Sequence, residues 1–337
     1  MKKNIELNKN VLINSIKEII HDARKSVAIN INRELIAAYW HIGKLIVNNE
    51  KANNVDTISS RQIIIELSKQ LTSEIGRGFS RSNLFNMRKF YLEYQDVQTV
   101  SGQLTWSHIC ELLIVDDIQK RGFYEKETIN SLWSVRELKR QIDSSLYERL
   151  LLSKGKANKE KLMKLSQKGQ QIINPEDIVK NPYVFEFLGI PEHKPIFEKE
   201  LEQKLIRHIE DFLLELGRGF MFVGSQQRIT INNTHYYVDM VFYNKILQCY
   251  ILIELKTTKL KINDAGQLNT YLNFYKTEIN EKTDNPPIGI ILCAEKDEIA
   301  AEYILGGLDN NIFASKFIYI LPDKDELIRE LENVMRE

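Results

Sequence analysis

Two periodicities divide the chain. Over residues 17–47, KEIIHDARKSVAININRELIAAYWHIGKLIV, apolar side chains recur at steps of three and four (Ile20, Ala23, Val27, Ile31, Leu35, Ile42, Ile46), the spacing of one long amphipathic helix or two in tandem. Residues 80–95, SRSNLFNMRKFYLEYQ, open on Ser80, a good N-cap, and predict a helix that packs Leu84, Met87 and Tyr91 inward. WSVRELKRQIDSSLYERL, residues 133–150, begins with a capping box formed by Ser134 and Glu137. The lysine-rich stretch 153–168 reads as a linker or as the frayed end of the preceding helix. With Pro175, Pro182 and Pro191 punctuating the next twenty or so residues, a boundary is expected near residue 170, between a helical domain of residues 1–165 and a second domain of residues 170–337.

Past that boundary helices and strands alternate. A helix from Glu198 to Leu216, stopped by Gly217 and Gly219, precedes the strands FMFVGSQQRITI and YYVDMVFY around the turn NNTH, then a third strand, CYILIELK. A helix over Asn263 to Thr277, a strand PIGIILCA, a helix after Asp297, a strand KFIYIL and a helix from Asp323 complete the series. The order αβββαβαβα predicts one mixed sheet with helices on its faces. The fold class expected is therefore a mainly α-helical N-terminal domain followed by an α/β domain.

Composition narrows the class without changing that picture. The 337 residues, 43% hydrophobic and 27% charged, suffice for two globular domains. No uncharged apolar stretch reaches the ~18 residues of a membrane span, and Glu6 and Lys9 interrupt the start before a signal-peptide core could form; a cytoplasmic location and no membrane partner are expected. Cys110, Cys249 and Cys293 include no Cys-x-x-Cys pair and read as reduced structural residues. The net charge of zero hides an asymmetry: residues 1–164 hold 27 Lys and Arg against 19 Asp and Glu, an excess of +8 that the remainder cancels. A basic half beside an acidic one implies that one part attracts a polyanion while the other gathers carboxylates.

The carboxylates that matter interrupt apolar strands. Glu254 and Lys256 follow four apolar residues, Tyr250 to Ile253, and alternation puts both on one face of their strand. An unpaired charge there costs several kcal/mol. Asp239 lies in the preceding strand, and two carboxylates on neighbouring strands repel unless a cation joins them. Oxygen donors with no His or Cys nearby favour a hard ion, Mg²⁺ or Mn²⁺. Other Glu-x-Lys triplets, at Glu137, Glu192 and Glu202, fall on predicted helices or a turn, where such pairs are ordinary solvated charges.

Asp239, fifteen residues further Glu254-Leu255-Lys256, on consecutive strands after a helix, resembles the PD-(D/E)XK nuclease superfamily. Val238 stands where that superfamily's name has Pro. FLLELGRGFMFVGSQ, YYVDMVFYN, IELK, AGQLNTYL and NPPIGIILCAEKD, with AAYWHIGKLI, GFSRSNLFNMRKFY, WSH and WSVRELKRQI upstream, resemble the bacterial nuclease family called YhcG over nearly the whole chain. The resemblance implies a restriction-endonuclease-like α/β domain, with Asp239 and Glu254 as metal ligands, the Leu255 carbonyl as a third donor, and Lys256 acting on the attacking water or the transition state. It also implies a carboxylate on the preceding helix. Helix geometry selects Glu202, in the stripe of Ile206, Ile209 and Leu213, with Glu198 as second choice. Gln267 and Tyr271, four apart on one helix face, resemble the Gln-x-x-x-Tyr pattern of the RecB-like branch.

The resulting expectation is an Mg²⁺- or Mn²⁺-dependent deoxyribonuclease. Its basic helical domain would grip DNA through Arg81, Arg88 and Lys89 on the helix opened by Ser80. Two other classes stay open at this point: a nucleic-acid-binding module with a silent nuclease domain, and an adaptor whose N-terminal domain binds another protein or a second copy of the chain.

Overall fold

The computed structural model describes residues 2–54, 56–100, 102–152, 159–191, 195–308 and 311–336. The Glu-x-Lys triplet at 192–194 and the first part of the expected linker, 153–158, lie outside the described residues. By packing the chain forms two compact units. One comprises residues up to Arg121 together with Leu132–Leu138; the other comprises Gly122–Ser131 and the chain from Lys139 onward.

In the first unit the periodic stretch is a single helix, α1 (Lys2–Ala52). Its stripe is only half used: Ile20, Val27 and Ile31 are exposed, and burial begins with Ile36, Trp40, Ile46 and Val47. Helix α2 (Thr57–Glu74) is capped by Asp56, and α3 (Arg81–Glu93) by Ser80, whose hydroxyl accepts the Asn83 N–H. Leu84 and Met87 join Ile46 and Ile64 in the core. Gly43 makes the crossing of α1 and α3 possible, because a Cβ there would sit 2.0 Å from the Met87 carbonyl oxygen. Helix α4 (Trp106–Leu112) opens on a Thr105–His108 capping box.

Helices α5 (Ile118–Ser131) and α6 (Val135–Asp143) lead to α7 (Leu146–Leu152) and α8 (Lys159–Lys168). Composition placed these with the N-terminal half, yet residues from Lys139 pack with the second unit. The reason is a buried charge cluster. Arg149 and Arg140 bond Glu215 at 2.5 and 3.2 Å, and Arg140 also bonds Glu186 at 2.7 Å. Burial opposes the Glu215 charge, but Arg149, Lys180 and Arg140 outweigh it and hold the carboxyl down to about 2.

The second unit is built on a six-stranded mixed sheet in the order β1-β6-β5-β4-β3-β2, with β1 (Tyr183–Val184), β2 (Phe220–Ile231), β3 (Thr234–Asn244), β4 (Cys249–Lys259), β5 (Ile288–Glu295) and β6 (Asn311–Ile318). Strands β2, β3 and β4 pair antiparallel; β4, β5, β6 and β1 pair parallel. The expected order of helices and strands holds, with three differences. The helix from Glu198 breaks at His208 into α9 (Glu198–Arg207) and α10 (Ile209–Leu216), where the backbone leaves helical ψ. The last strand begins at Asn311, five residues before the expected Lys316. The two-residue β1 pairs with its C-terminal end, too short to leave a period.

One face of the sheet buries Ile251, Ile253 and Leu255 against Leu201, Leu205 and Phe212 of α9 and α10. The other packs Leu252 and Ile291 against Leu268 and Leu272 of α11 (Ile262–Phe274), which approaches so closely that a Cβ on Gly289 would meet the Leu268 side chain at 2.7 Å. Helices α12 (Glu298–Leu305) and α13 (Lys324–Arg336) follow. Among the described residues no helix is long and apolar enough to cross a membrane.

Candidate active site

Register brings the carboxylates together. Strands β3 and β4 pair from Asn244↔Cys249 to Met240↔Ile253, where the ladder ends; the next position of that register sets Asp239 against Glu254. The Leu255 N–H is thereby released from the ladder and donates to Asp239 Oδ2 at 2.9 Å. What the structure sets against Asp239 is thus the Leu255 amide, on the same residue whose carbonyl the resemblance makes a donor.

Glu254 is 1% exposed. Its Oε2 accepts from Gln267 Nε2 at 3.4 Å and lies 3.7 Å from Lys256 Nζ, while Oε1 is buried with no hydrogen-bond partner. Burial first, and Asp239 second, push this carboxyl up to about 8. Asp239 is raised too, chiefly by burial, with the Leu255 N–H working against the shift. Burial disfavours the Lys256 ammonium, but Glu254, Glu198 and Asp239 outweigh it and hold its pKa above the ordinary value. The Lys256 ammonium alone thus does not offset the burial and mutual repulsion of the two carboxyls, and both are raised.

The helix side chains reach the same place. Glu202 is buried at the start of α9, as the 100° rule implies, and its Oε2 accepts from Gln226 Nε2 at 2.8 Å; that amide also reaches Asp239 Oδ1 at 3.2 Å. Burial and Asp239 raise the Glu202 carboxyl. Glu198 is more exposed and lies 3.8 Å from Lys256 Nζ. On α11, Gln267 donates to the Tyr271 hydroxyl at 2.8 Å as well as to Glu254, so the four-residue spacing acts on the carboxylate. Sequence reasoning missed Gln226. Hairpin arithmetic reveals it: with Ile231↔Thr234 closing the Asn232-Asn233 turn, residue 226 falls opposite residue 239.

Arg81, Arg88 and Lys89 are not part of this cluster. They lie on α3 in the first unit, where Arg88 Nε donates to both Glu50 carboxylate oxygens, at 2.8 and 2.9 Å, and Lys89 bonds Asp116 at 2.9 Å. Burial opposes the Glu50 charge, but Arg88 and Ser60 outweigh it and hold the carboxyl below its usual range. Of the three cations expected to grip DNA, two are held by acids outside the helix, and Arg81 is exposed.

Among the described residues no group of three or more His, Cys, Asp and Glu side chains is arranged to hold a metal ion. The donor set nevertheless fits one. Asp239 and Glu254 supply oxygen donors only, and the buried Glu254 Oε1 has no hydrogen-bond partner to compete with a hard cation.

A mixed sheet presenting Asp, then Glu-x-Lys, on adjacent antiparallel strands defines a PDDEXK-type nuclease domain, and residues 176–332 match the family described as YhcG PDDEXK nuclease domain. Residues 15–149 match the DUF1016 N-terminal domain. The chain is 37% identical over 348 residues to the Escherichia coli (strain K12) protein named "Putative nuclease YhcG", covering 94% of this chain and 92% of that one; it belongs to the YhcG family. Among solved structures, a repair endonuclease from Pyrococcus abyssi aligns at 16% identity with a TM-score of 0.26, over 40% of this chain and 50% of that one. A structure titled "Structure of EndoMS-dsDNA2 complex" aligns at 13% and 0.27, over 40% and 51%. The chain thus spans about half of each of these solved chains.

Proposed function

We propose that this nuclease-family protein hydrolyses DNA phosphodiester bonds with Mg²⁺ or Mn²⁺ held by Asp239 and Glu254. The observation that carries the reading is Glu254: a carboxylate buried inside a strand, beside a second carboxylate, with one oxygen unbonded. Such an ion, when bound, supplies Lewis-acid polarisation of the phosphodiester and eases deprotonation of the attacking water.

The remaining roles fall to the chain. The Leu255 N–H and Gln226 fix the two oxygens of Asp239. Gln267, itself bonded to Tyr271, orients Glu254. Lys256 places an ammonium 3.7 Å from Glu254, where it orients water or offsets charge developing on the phosphorus-centred transition state. Glu202, linked to Asp239 through Gln226, is positioned to orient that side of the site. In the first unit Arg81 is the proposed phosphate contact, since Arg88 and Lys89 serve acids of their own.

The test is incubation of the purified full-length protein with supercoiled, linear and branched DNA, and with RNA of matching sequence, in Mg²⁺, Mn²⁺ or EDTA. Cleavage of DNA that needs the ion and disappears in Glu254→Gln is the expected result. Cleavage retained in EDTA, or in the variant, refutes the assignment.

A further inference from the structure

Resting on that reading, we propose that the exposed face of the β2–β3 hairpin beyond Asp239 is a track for the DNA strand leaving the scissile phosphate, with Arg228 gripping a phosphate and Tyr237 stacking on an unpaired base. Register makes the track. The pairs Arg228↔Tyr237 and Thr230↔His235 follow, two residues at a time, the position where Gln226 meets Asp239. Side chains two apart share a face, and successive rows lie about 7 Å apart. Two rows therefore run outward along the hairpin from the point where Gln226, held at positive φ (49°), bonds Asp239.

The hairpin is held for the purpose. It closes on a two-residue turn, Asn232-Asn233, both with positive φ (46° and 63°), the geometry of a tight hairpin connection. Ile229 and Val238, on the opposite face, are buried with Leu268 and Tyr271 of α11, and the Tyr236 ring lies 6.2 Å from the Tyr271 ring. On the track face Arg228, Thr230, His235 and Tyr237 are all exposed, and Tyr237 keeps 48% of its surface free.

Charge points to the same occupant. From Phe220 to Val238 there is no Asp or Glu, within a half of the chain that carries eight more acids than bases. An acid-free strip offering one guanidinium, one imidazole and one free aromatic ring matches a single strand, whose phosphates seek the cation and whose bases stack on the ring. A duplex presents the same phosphates but no free base face.

The experiment is binding of a labelled 20-nucleotide single strand to the full-length protein in EDTA across a salt series, for wild type, Arg228→Ala, Arg228→Lys, Tyr237→Ala and Tyr237→Phe, with melting temperatures alongside. Arg228→Ala should reduce the log–log salt slope by roughly 0.7, and Arg228→Lys should keep it. Tyr237→Ala should weaken binding about ten-fold without altering the slope, and Tyr237→Phe should restore it. Unchanged affinity and slope in both alanine variants, at unchanged melting temperature, overturn the track whether or not the wild type cleaves DNA. A wild type that binds the strand in EDTA yet cleaves no DNA when Mg²⁺ or Mn²⁺ is supplied removes the nuclease reading and leaves the track judged on these affinities. A wild type that binds no single strand overturns the track, whether or not it cleaves DNA with the ion supplied.

Discussion

Glu215 and Glu254 are both glutamates with almost no exposed surface in the same α/β unit, and their surroundings differ in one respect. Glu215 meets Arg149, Arg140 and the Val184 N–H, with Lys180 beside it, and its carboxyl is held down to about 2. Glu254 meets one ammonium at 3.7 Å and an amide at 3.4 Å, faces Asp239, and is pushed up to about 8 with an oxygen unsatisfied. A buried carboxylate whose cations come from the chain is part of the structure. One left short of them in a strand next to another carboxylate is the arrangement on which the proposed metal site rests.

The comparison breaks most visibly by removing each carboxylate. Glu215→Ala leaves Arg149 buried without its acid and Arg140 with Glu186 alone, and should cost about 3–5 kcal/mol of stability, read by chemical denaturation. Glu254→Ala and Asp239→Ala should leave stability intact or raised, because repulsion is relieved, while cleavage falls at least about 10²-fold. Lys256→Ala belongs with these in rate but not in metal affinity. A Glu254→Ala variant that unfolds like Glu215→Ala would make both clusters structural.

The same contrast sets opposite pH responses in metal-free protein. The Glu215 carboxyl lies below its ordinary 4.5, so its stabilisation is present above that value and is lost as pH falls toward about 2. The Glu254 carboxyl lies above 4.5, so between that value and about 8 the unfolded chain has released a proton the folded chain keeps, and stability declines as pH rises through the window. Denaturation in EDTA from about pH 5 to 8 should show this decline in wild type and a flatter line in Glu254→Gln. Equal slopes would remove Glu254 as its source.

Legibility in the sequence divides along the same line. Glu254 was legible because four apolar residues precede it in a strand, and Asp239 because the neighbouring strand is equally apolar. The buried face of α9 gave Glu202 by angle alone. The Glu215 cluster was not legible: Arg140 and Arg149 lie in a charge-rich helical stretch that reads as solvated surface until Glu215 and Glu186, dozens of residues on, are brought against them. That is why packing joins residues 139–152 to the second unit. The acids that hold Arg88 and Lys89 were hidden for the same reason. Glu50 and Asp116 are 38 and 27 residues away, beyond any helical spacing.

The smallest effect belongs to α3. Arg81→Ala should lower the magnitude of the salt slope for duplex binding by about 0.9, one phosphate's worth, whereas Arg88→Ala, which strands the buried Glu50, should appear in thermal stability. A slope that responds to Arg88 rather than Arg81 would move the contact along the helix.

The central claim, that Asp239 and Glu254 await a divalent cation, is tested most directly by calorimetric titration of the full-length protein with Mn²⁺ at neutral pH. Binding at one site in the wild type, lost in both Asp239→Asn and Glu254→Gln and unaffected by Arg81→Ala, is the predicted result. No binding by the folded wild type, or equal binding by the Glu254→Gln variant, would contradict the account.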